Sequence, residues 1–360
     1  MNDDMEDYLG LLKGQKSRSK NIVLRNNGIK SRYYALDKNG KSTHTNYELT
    51  SEAIKGLFGD GFELNDIDLL SCGTTSPDQM LPSHASMVQG SLGCSSIEVI
   101  SPAGSCNSGI LALKYGYMSV LSGFSANVAC TGSEKISTWI QSKNFSEEVE
   151  QLEQLGENPY LAFEKEFLRW MLSDGAAAVL LQDKPNSGKL SLKIDWIEIK
   201  SYANEARTCM CAGAIQKENG DLTPWRELSQ EEQMKNSVFT LRQDTRILEK
   251  HITKFGARFL VEVTRKHNFT PAEIDYFLPH MSSEFFRKII QKDSVDHGVE
   301  IPDDKWFTNL HKVGNVGSAS AFLMLEELYS SGKLKKGDKI LIMVPESARF
   351  SYAYIHVTVV

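Results

Sequence analysis

Short apolar runs alternate along this chain with longer stretches whose apolar positions recur at helical spacing. "IDLLSCGTTS" (67–76) reads as a buried strand running into a polar loop, and "NVACTGSE" (127–134) as another strand. "NYELTSEAIKGLF" (46–58) has the spacing of an amphipathic helix, and "PSHASMVQGSLG" (82–93) opens on Pro82-Ser83 and closes on glycine, as helices do. Residues 97–100 predict a short strand, and Ile110, Leu111, Leu113 and Tyr117 place a helix just after Cys106. Residues 144–165 are rich in Glu and predict a helical insertion, and "DGAAAVLLQDK" (174–184) a turn followed by a strand.

The second half repeats the rhythm. "LSLKIDWIEIKSY" (190–202) predicts a strand, 203–235 an irregular polar excursion, and 248–268 a long helix. "IDYFLPH" (274–280) predicts a strand ending at Pro279-His280, and "SASAFLMLEELYSSG" (318–332) a helix closing on Gly332. The last stretch, 338–360, predicts two strands joined at 345–349. Buried strands alternating with helices imply an α/β chain with parallel or mixed sheets. The likeness of "IDLLSCGTTS" to "IDYFLPHMSS" suggests two related halves, 1–185 and 186–360.

Composition narrows the function. The chain has 360 residues, 41% hydrophobic and 24% charged, ordinary for a globular protein. A net charge of −6 argues against nucleic acid as a partner. No apolar run approaches the length of a membrane span, and the acidic "MNDDMEDYLG" lacks a signal core, so the expectation is a cytoplasmic protein. Six cysteines (72, 94, 106, 130, 209, 211) form no CxxC pair, and the eight histidines show no metal-ligand spacing, so no metal is expected.

Cys106 stands where a strand turns into a helix, among the small residues Ala103, Gly104, Ser105, Ser108 and Gly109. Helix N-terminal N–H groups favour a thiolate and can hold an oxyanion, so this is a candidate nucleophile. Most free cysteines are simply buried, and the context is what raises this one. His280 follows a strand, and Asn315 sits in "LHKVGNVGSAS" just before a helix. Three chemistry-bearing side chains thus stand at element ends.

The stretches "NNGIKSRYYA" (26–35), "LLSCGTTSPDQMLPSHASMVQGSLG" (69–93), "SPAGSCNSGILAL" (101–113), "SDGAAAVLL" (173–181), "IDYFLPHMSS" (274–283) and "HKVGNVGSASAFLMLEEL" (311–328) resemble the ketosynthase III-like condensing enzymes of the thiolase superfamily. That resemblance implies a thiolase-like five-layered αβαβα fold of two pseudo-repeated halves with mixed sheets, normally a homodimer. It implies that Cys106 is acylated and that His280 and Asn315 polarise a second thioester. It also implies partners: acyl carrier protein or coenzyme A thioesters, with the acyl group arriving on phosphopantetheine and no resident cofactor. "EKEFLRWMLSDGA" (164–176) and "VPESARFSYAYIHVTVV" (344–360) look most like the β-ketoacyl synthases of dialkylresorcinol and flexirubin-type pathways.

Two features depart from the family. Its usual first strand should precede "MEDYLGLL", so either the start is trimmed or the first half lacks a core strand. Its Gly-rich turn near the C-terminus is replaced by Glu346-Ser347-Ala348-Arg349-Phe350, where the Ala348 N–H would serve the oxyanion and Arg349 would stand near the pocket or pair with a carboxylate.

The implied reaction joins a β-ketoacyl chain to an unsaturated acyl chain and closes a cyclohexanedione ring. A β-ketoacyl donor cannot form its carbanion by losing CO₂ and needs a base, for which Glu164, Glu166 and, third, Glu134 are candidates. The rival is a chain-initiating synthase using malonyl carrier protein. A degradative thiolase needs a second reactive cysteine, and none follows Cys211; a non-catalytic subunit would be expected to lose the nucleophile. Arg287 and Lys288 could meet the phosphopantetheine or carrier, although a solvated helix face is the simpler reading. His84 reads as a helix-start residue and Asp174 as turn chemistry. The apolar residues of 85–93 and 110–120 read as core, although the family's acyl tunnel runs nearby.

Overall fold

The computed structural model describes all residues except 13, 15–16, 146–147, 149–165 and 218. Most of the Glu-rich 144–165 stretch, including Glu164, therefore lies outside the described residues. Helices α1 (Met5–Leu9), α2 (Arg18–Asn27) and α3 (Asn46–Lys55) lead into a first sheet. Its strands are β1 (Leu69–Thr74), β2 (Glu98–Ile100), β3 (Asn127–Glu134) and β4 (Gly175–Gln182), with helices α4 (His84–Leu92) and α5 (Ser108–Leu121) between them. The order is β2-β1-β3-β4, parallel except for β4.

The second sheet is built from β5 (Leu192–Ser201), β6 (Tyr276–Pro279), β7 (Lys339–Glu346) and β8 (Ser351–Val359), in the order β6-β7-β8-β5. β6 and β7 are parallel, and β8 is antiparallel to both of its neighbours. Three helices belong with this sheet: α6 (Thr245–His267), α7 (Arg287–Asp296) and α8 (Ser320–Ser330). In the second sheet β5 covers the outer side of β8, whereas β4 is the edge of the first sheet among the described residues.

Period-two alternation sorts the strand side chains into separate cores. Ile340, Ile342 and Val344 of β7 join Leu69, Val128, Ile110, Leu113 and Phe322 in a central core, between the sheets and around α5 and α8. Leu341 and Met343, one residue out of phase, pack instead with Phe255, Phe259 and Leu260 of α6 and Ile290 of α7. On the far side, Leu70, Cys72 and Ala129 meet Ile54 of α3 and Val88 of α4. The layers run α3/α4, first sheet, α5/α8, second sheet, α6/α7, the thiolase-like five-layered arrangement with mixed sheets. Both faces of each sheet are covered, which is why strands such as "KILIMVPE" read as nearly unbroken apolar runs.

The excursion at 203–235 is less irregular than its polarity predicts. Ala214–Gln216 pairs with Leu222–Pro224 as a small ribbon, and Gln230–Lys235 forms a helix with a complete capping box at Ser229. The ribbon turns through Asn219-Gly220, with Gly220 at φ +91°.

Two glycines let α5 and β3 approach the Ser318 backbone closely. A Cβ on Gly109 of α5 would lie 2.3 Å from the Ser318 carbonyl oxygen, and one on Gly132 of β3 would lie 2.2 Å from the same atom. Ser318 is three residues after Asn315, so this contact sets how closely the Asn315 loop approaches Cys106. Gly132→Ala should destabilise the fold by about 2 kcal/mol through overpacking. Thermal denaturation should show a lower Tm, together with a loss of acyl transfer; an unchanged Tm would show that the loop shifts freely.

Candidate active site

Cys106 is placed by the connection from β2 to α5. Ala103 bridges to Thr74 at the end of β1. Asn107, the residue before α5, donates from Nδ2 to Ser351 Oγ at 2.6 Å and so ties the connection to β8. His280 directly follows β6, and its backbone N–H donates to the Met343 carbonyl at 2.8 Å, extending the ladder by one residue. Asn315 sits between Gly314 (φ +75°) and Gly317 (φ +50°), in a loop that needs left-handed backbone. Its N–H donates to the Met171 carbonyl at 3.0 Å, and its carbonyl accepts from Ser173 N–H at 2.9 Å. Gly317 N–H donates to Asn315 Oδ1 at 2.9 Å, which settles the amide orientation and leaves Nδ2 as a donor.

Cys106, His280, Asn315 and Glu134 line one cavity, with Thr75, Ser105 and Gly317 beside them. Glu134, the last residue of β3, is buried and accepts from Thr75 N–H and Oγ1 at 3.2 and 2.7 Å, Ser76 Oγ at 2.6 Å and Ser318 N–H at 3.2 Å. Burial outweighs these donors and raises its pKa above the usual carboxylate range. His280 is buried too, and burial lowers its pKa to about 4, so the imidazole is neutral at ordinary pH.

The thiol differs from the sequence expectation. Cys106 precedes α5 by two residues, and burial pushes its pKa up to about 12, with the charges of Glu346 and Glu134 adding to the rise. The pull of the helix N-terminus is outweighed chiefly by burial, which penalises the charged sulfur, and further by the nearby Glu346 and Glu134. The resting group is a thiol, not a thiolate.

The other sequence candidates scatter. Glu166 is not a cavity residue: Ser17 Oγ donates to its Oε2 at 3.0 Å, and Arg169 lies beside it. Ala348 N–H donates to the Glu346 carboxylate, and its carbonyl accepts from Cys209 N–H, so the expected oxyanion donor is already engaged. Arg349 is exposed and outside the cavity lining, with its backbone N–H on Glu346 as well. Arg287 pairs with Glu284 at 2.8 Å and Asp303 at 3.0 Å and lies over the Trp306 ring, which occupies it structurally; Lys288 is exposed on α7. His84 is the first residue of α4, buried within 3.2 Å of Thr50 and Ser133 hydroxyls. Asp174 accepts from the backbone of Ala35 and Ser137. Among the described residues no three His, Cys, Asp or Glu side chains gather as a metal ligand set, and no helix is long and apolar enough to cross a membrane.

Sequence reasoning passed over Glu346 as a functional group. Its carboxylate folds back to accept from Ser351 N–H and Oγ, both at 3.2 Å, and so replaces the Gly-rich turn with a carboxylate-centred one. The departure from the family's glycines was the available signal.

Residues 264–345 match the family described as 3-oxoacyl-[acyl-carrier-protein (ACP)] synthase III C terminal. A β-ketoacyl-[acyl-carrier-protein] synthase III of Clostridium perfringens is 28% identical over 317 residues, 88% of this chain and 84% of the relative. The solved 3-oxoacyl-[acyl-carrier-protein] synthase III of Aquifex aeolicus superposes with a TM-score of 0.70 at 20% identity, covering 99% of this chain and 94% of that one. OleA of Xanthomonas campestris, solved with bound lauric acid and lauroyl-CoA, gives a TM-score of 0.72 at 19% identity, covering 99% and 93%. With this fold and these relatives, the chain is similar over most of its length to β-ketoacyl-[acyl-carrier-protein] synthase III proteins.

Proposed function

We propose that the enzyme forms a carbon–carbon bond between two acyl thioesters by way of a Cys106 acyl-enzyme. The observation that carries this reading is the gathering of Cys106, His280, Asn315 and Glu134 around one cavity. The Cys106 sulfur attacks the first thioester carbonyl, the pantetheine sulfur leaves, and the proton of the Cys106 thiol ends on that departing sulfur. A second thioester then places its carbonyl oxygen against Asn315 Nδ2 and the neutral His280 ring, whose N–H bonds stabilise the enolate. The α-carbon, having given up a proton to a base or a carboxyl group as CO₂, attacks the Cys106 thioester; the C–C bond forms, the carbon–sulfur bond breaks, and the released sulfur takes up a proton to return to the thiol.

The finer reading is that the donor is a β-ketoacyl thioester, joined to an unsaturated chain and closed to a cyclohexanedione precursor of dialkylresorcinols. The likeness of 164–176 and 344–360 to that group of synthases supports it. The base is then Glu134, which of the two described candidates, Glu134 and Glu166, is the one that lines the cavity. The second reading, a chain-initiating synthase that decarboxylates a malonyl donor on carrier protein, is favoured by what the relatives at 24–28% identity are called. Supplying each donor to the acylated enzyme separates the two. Turnover with the β-ketoacyl donor and no CO₂ release supports the first; turnover only with malonyl, with CO₂, rejects it. Glu134→Gln should slow the β-ketoacyl reaction by about 10²–10⁴-fold, and Glu166→Gln should leave it unchanged. Equal rates in both variants would strip Glu134 of the role.

A further inference from the structure

Glu346 takes up the donors that its own turn would otherwise offer. Its carboxylate accepts from the backbone N–H groups of Ala348, Arg349 and Ser351, and an N–H so engaged has no proton left for a substrate oxygen. The turn nevertheless faces the reacting sulfur. Pro345 and Ser347 line the cavity together with Cys106, and the charge of Glu346 is felt at the thiol. Asn107, next to Cys106, donates to Ser351 Oγ at 2.6 Å and ties the two segments together.

What the turn still presents is a side chain. Ser347 Oγ accepts from Gln243 Nε2 at 2.9 Å, and both residues line the cavity. A hydroxyl has a proton to donate as well as lone pairs that accept. The Gln243 amide occupies a lone pair, and among the described residues the Ser347 proton goes to no other group. Accepting that bond also makes the hydroxyl a better donor. Other cavity hydroxyls are committed: Thr75 donates to Glu134 at 2.7 Å, and Ser105 to the Cys106 sulfur at 3.9 Å.

The pair is firmly mounted. Gln243 is 2% exposed and pairs with Met210 in a short antiparallel ladder. The Ala348 carbonyl accepts from the N–H groups of Cys209 and Met210 at 2.8 and 3.2 Å, so the same short strand holds the turn on one side and Gln243 on the other. The next residue, Asp244, caps α6 by accepting from Arg246 and Ile247 N–H. A buried glutamine on such a frame, with its amide on a cavity hydroxyl, fixes where that hydroxyl points.

We propose that the Ser347 hydroxyl is an oxyanion donor for the carbonyl that Cys106 attacks, and that Gln243 is the residue that positions it. The proposal rests on the Cys106 acyl-enzyme reading. As the sulfur–carbon bond forms, the carbonyl π pair moves onto oxygen, and the Ser347 O–H bonds that oxygen without giving up its proton. The pair returns as the bond to the pantetheine sulfur breaks, and the thiol proton ends on that departing sulfur.

Wild type, Ser347→Ala, Gln243→Met and the double variant are each offered octanoyl-CoA, and acylation is followed by intact mass. Alkylation of Cys106 by iodoacetamide is measured beside it, because that reaction uses the same sulfur and builds no oxyanion. Ser347→Ala should slow acylation by about 10²–10³-fold and leave alkylation as fast as in wild type. Ser347→Thr keeps a hydroxyl and should restore most of the rate. Gln243→Met should slow acylation by about tenfold or more, and the double variant should be no slower than Ser347→Ala, since Gln243 acts through the hydroxyl. A Gln243 loss that adds fully to the Ser347 loss would strip it of the positioning role. Acylation of Ser347→Ala at the wild-type rate would overturn the hydroxyl donor and leave the acyl-enzyme standing. Equal loss of acylation and alkylation would overturn it too, because the turn would then have moved the sulfur. If Ser347→Ala does not fold, Gln243→Met decides alone, and wild-type acylation in it overturns the proposal. A wild-type protein that is alkylated but takes up no acyl group would remove the acyl-enzyme reading and this donor with it.

Discussion

Cys106→Ala should leave a folded protein that takes up no acyl group, with the mass adduct seen in wild type gone altogether. Five other cysteines remain in that variant, and Cys72, Cys130 and Cys209 are buried in the protein interior, so an adduct that persisted would point to a different nucleophile and end the mechanism. The same sulfur allows a sharper experiment. Burial and two nearby carboxylates push its pKa to about 12, so only a small fraction is thiolate at neutral pH. Alkylation of Cys106 by iodoacetamide should therefore climb steadily from pH 7 to pH 10 with no plateau. Glu346→Gln removes a negative charge from beside the sulfur. The thiolate then costs less to form, the pKa falls, and alkylation at pH 8 should be faster than in wild type. A wild-type plateau below pH 9 would show that the helix N-terminus dominates after all. The acyl-enzyme cycle tolerates a high thiol pKa because charge need not rest on the sulfur: its proton leaves with the pantetheine as the acyl group arrives.

What could be read from the chain, and what could not, follows from the range of the physics involved. β7 and β8 are legible because both of their faces are covered, so alternate residues serve different cores and most positions are apolar. Cys106, His280 and Asn315 are legible as candidates because each sits at an element end with its own local signature, and the layered fold carries those ends to one cavity. Placement of the carboxylates was not legible. Glu166 and Glu134 look alike as letters, and only packing sends one beside Ser17 and Arg169 and the other beside the thiol. The direction of the Cys106 pKa was missed because a helix start is visible locally, whereas the burial that raises the pKa, and Glu346 arriving from 240 positions away, are set by packing. Ala348 was lost for a related reason: a glutamate two residues earlier turns back and takes its N–H.

Asn315→Asp should separate the two halves of the reaction. The aspartate keeps the Oδ1 that accepts from Gly317 N–H, so the loop and its backbone bonds to Met171 and Ser173 persist. What changes is the other terminal atom: a donor becomes a charged acceptor, placed in the cavity that Glu134 already shares. Removing one oxyanion donor costs about 10²–10³ in rate, and the added repulsion of an enolate makes that a lower bound here. Acylation of Cys106 does not use Asn315, so the intact-mass adduct should form and then persist, while condensation product falls by that factor or more. His280 contributes the second donor as a neutral ring, since burial holds its pKa near 4. Protonation would begin only below about pH 5, so its donor role should be constant from pH 5 to pH 8, and the condensation rate of pre-acylated enzyme should show no inflection near the ordinary histidine value. An inflection near pH 6.5 that disappears in His280→Ala would mean the ring is far better solvated than its position at the end of β6 implies. Loss of acylation and condensation together in Asn315→Asp would mean that one pocket stabilises both carbonyls, and the division of labour between the Cys106 side and the Asn315 side would fall.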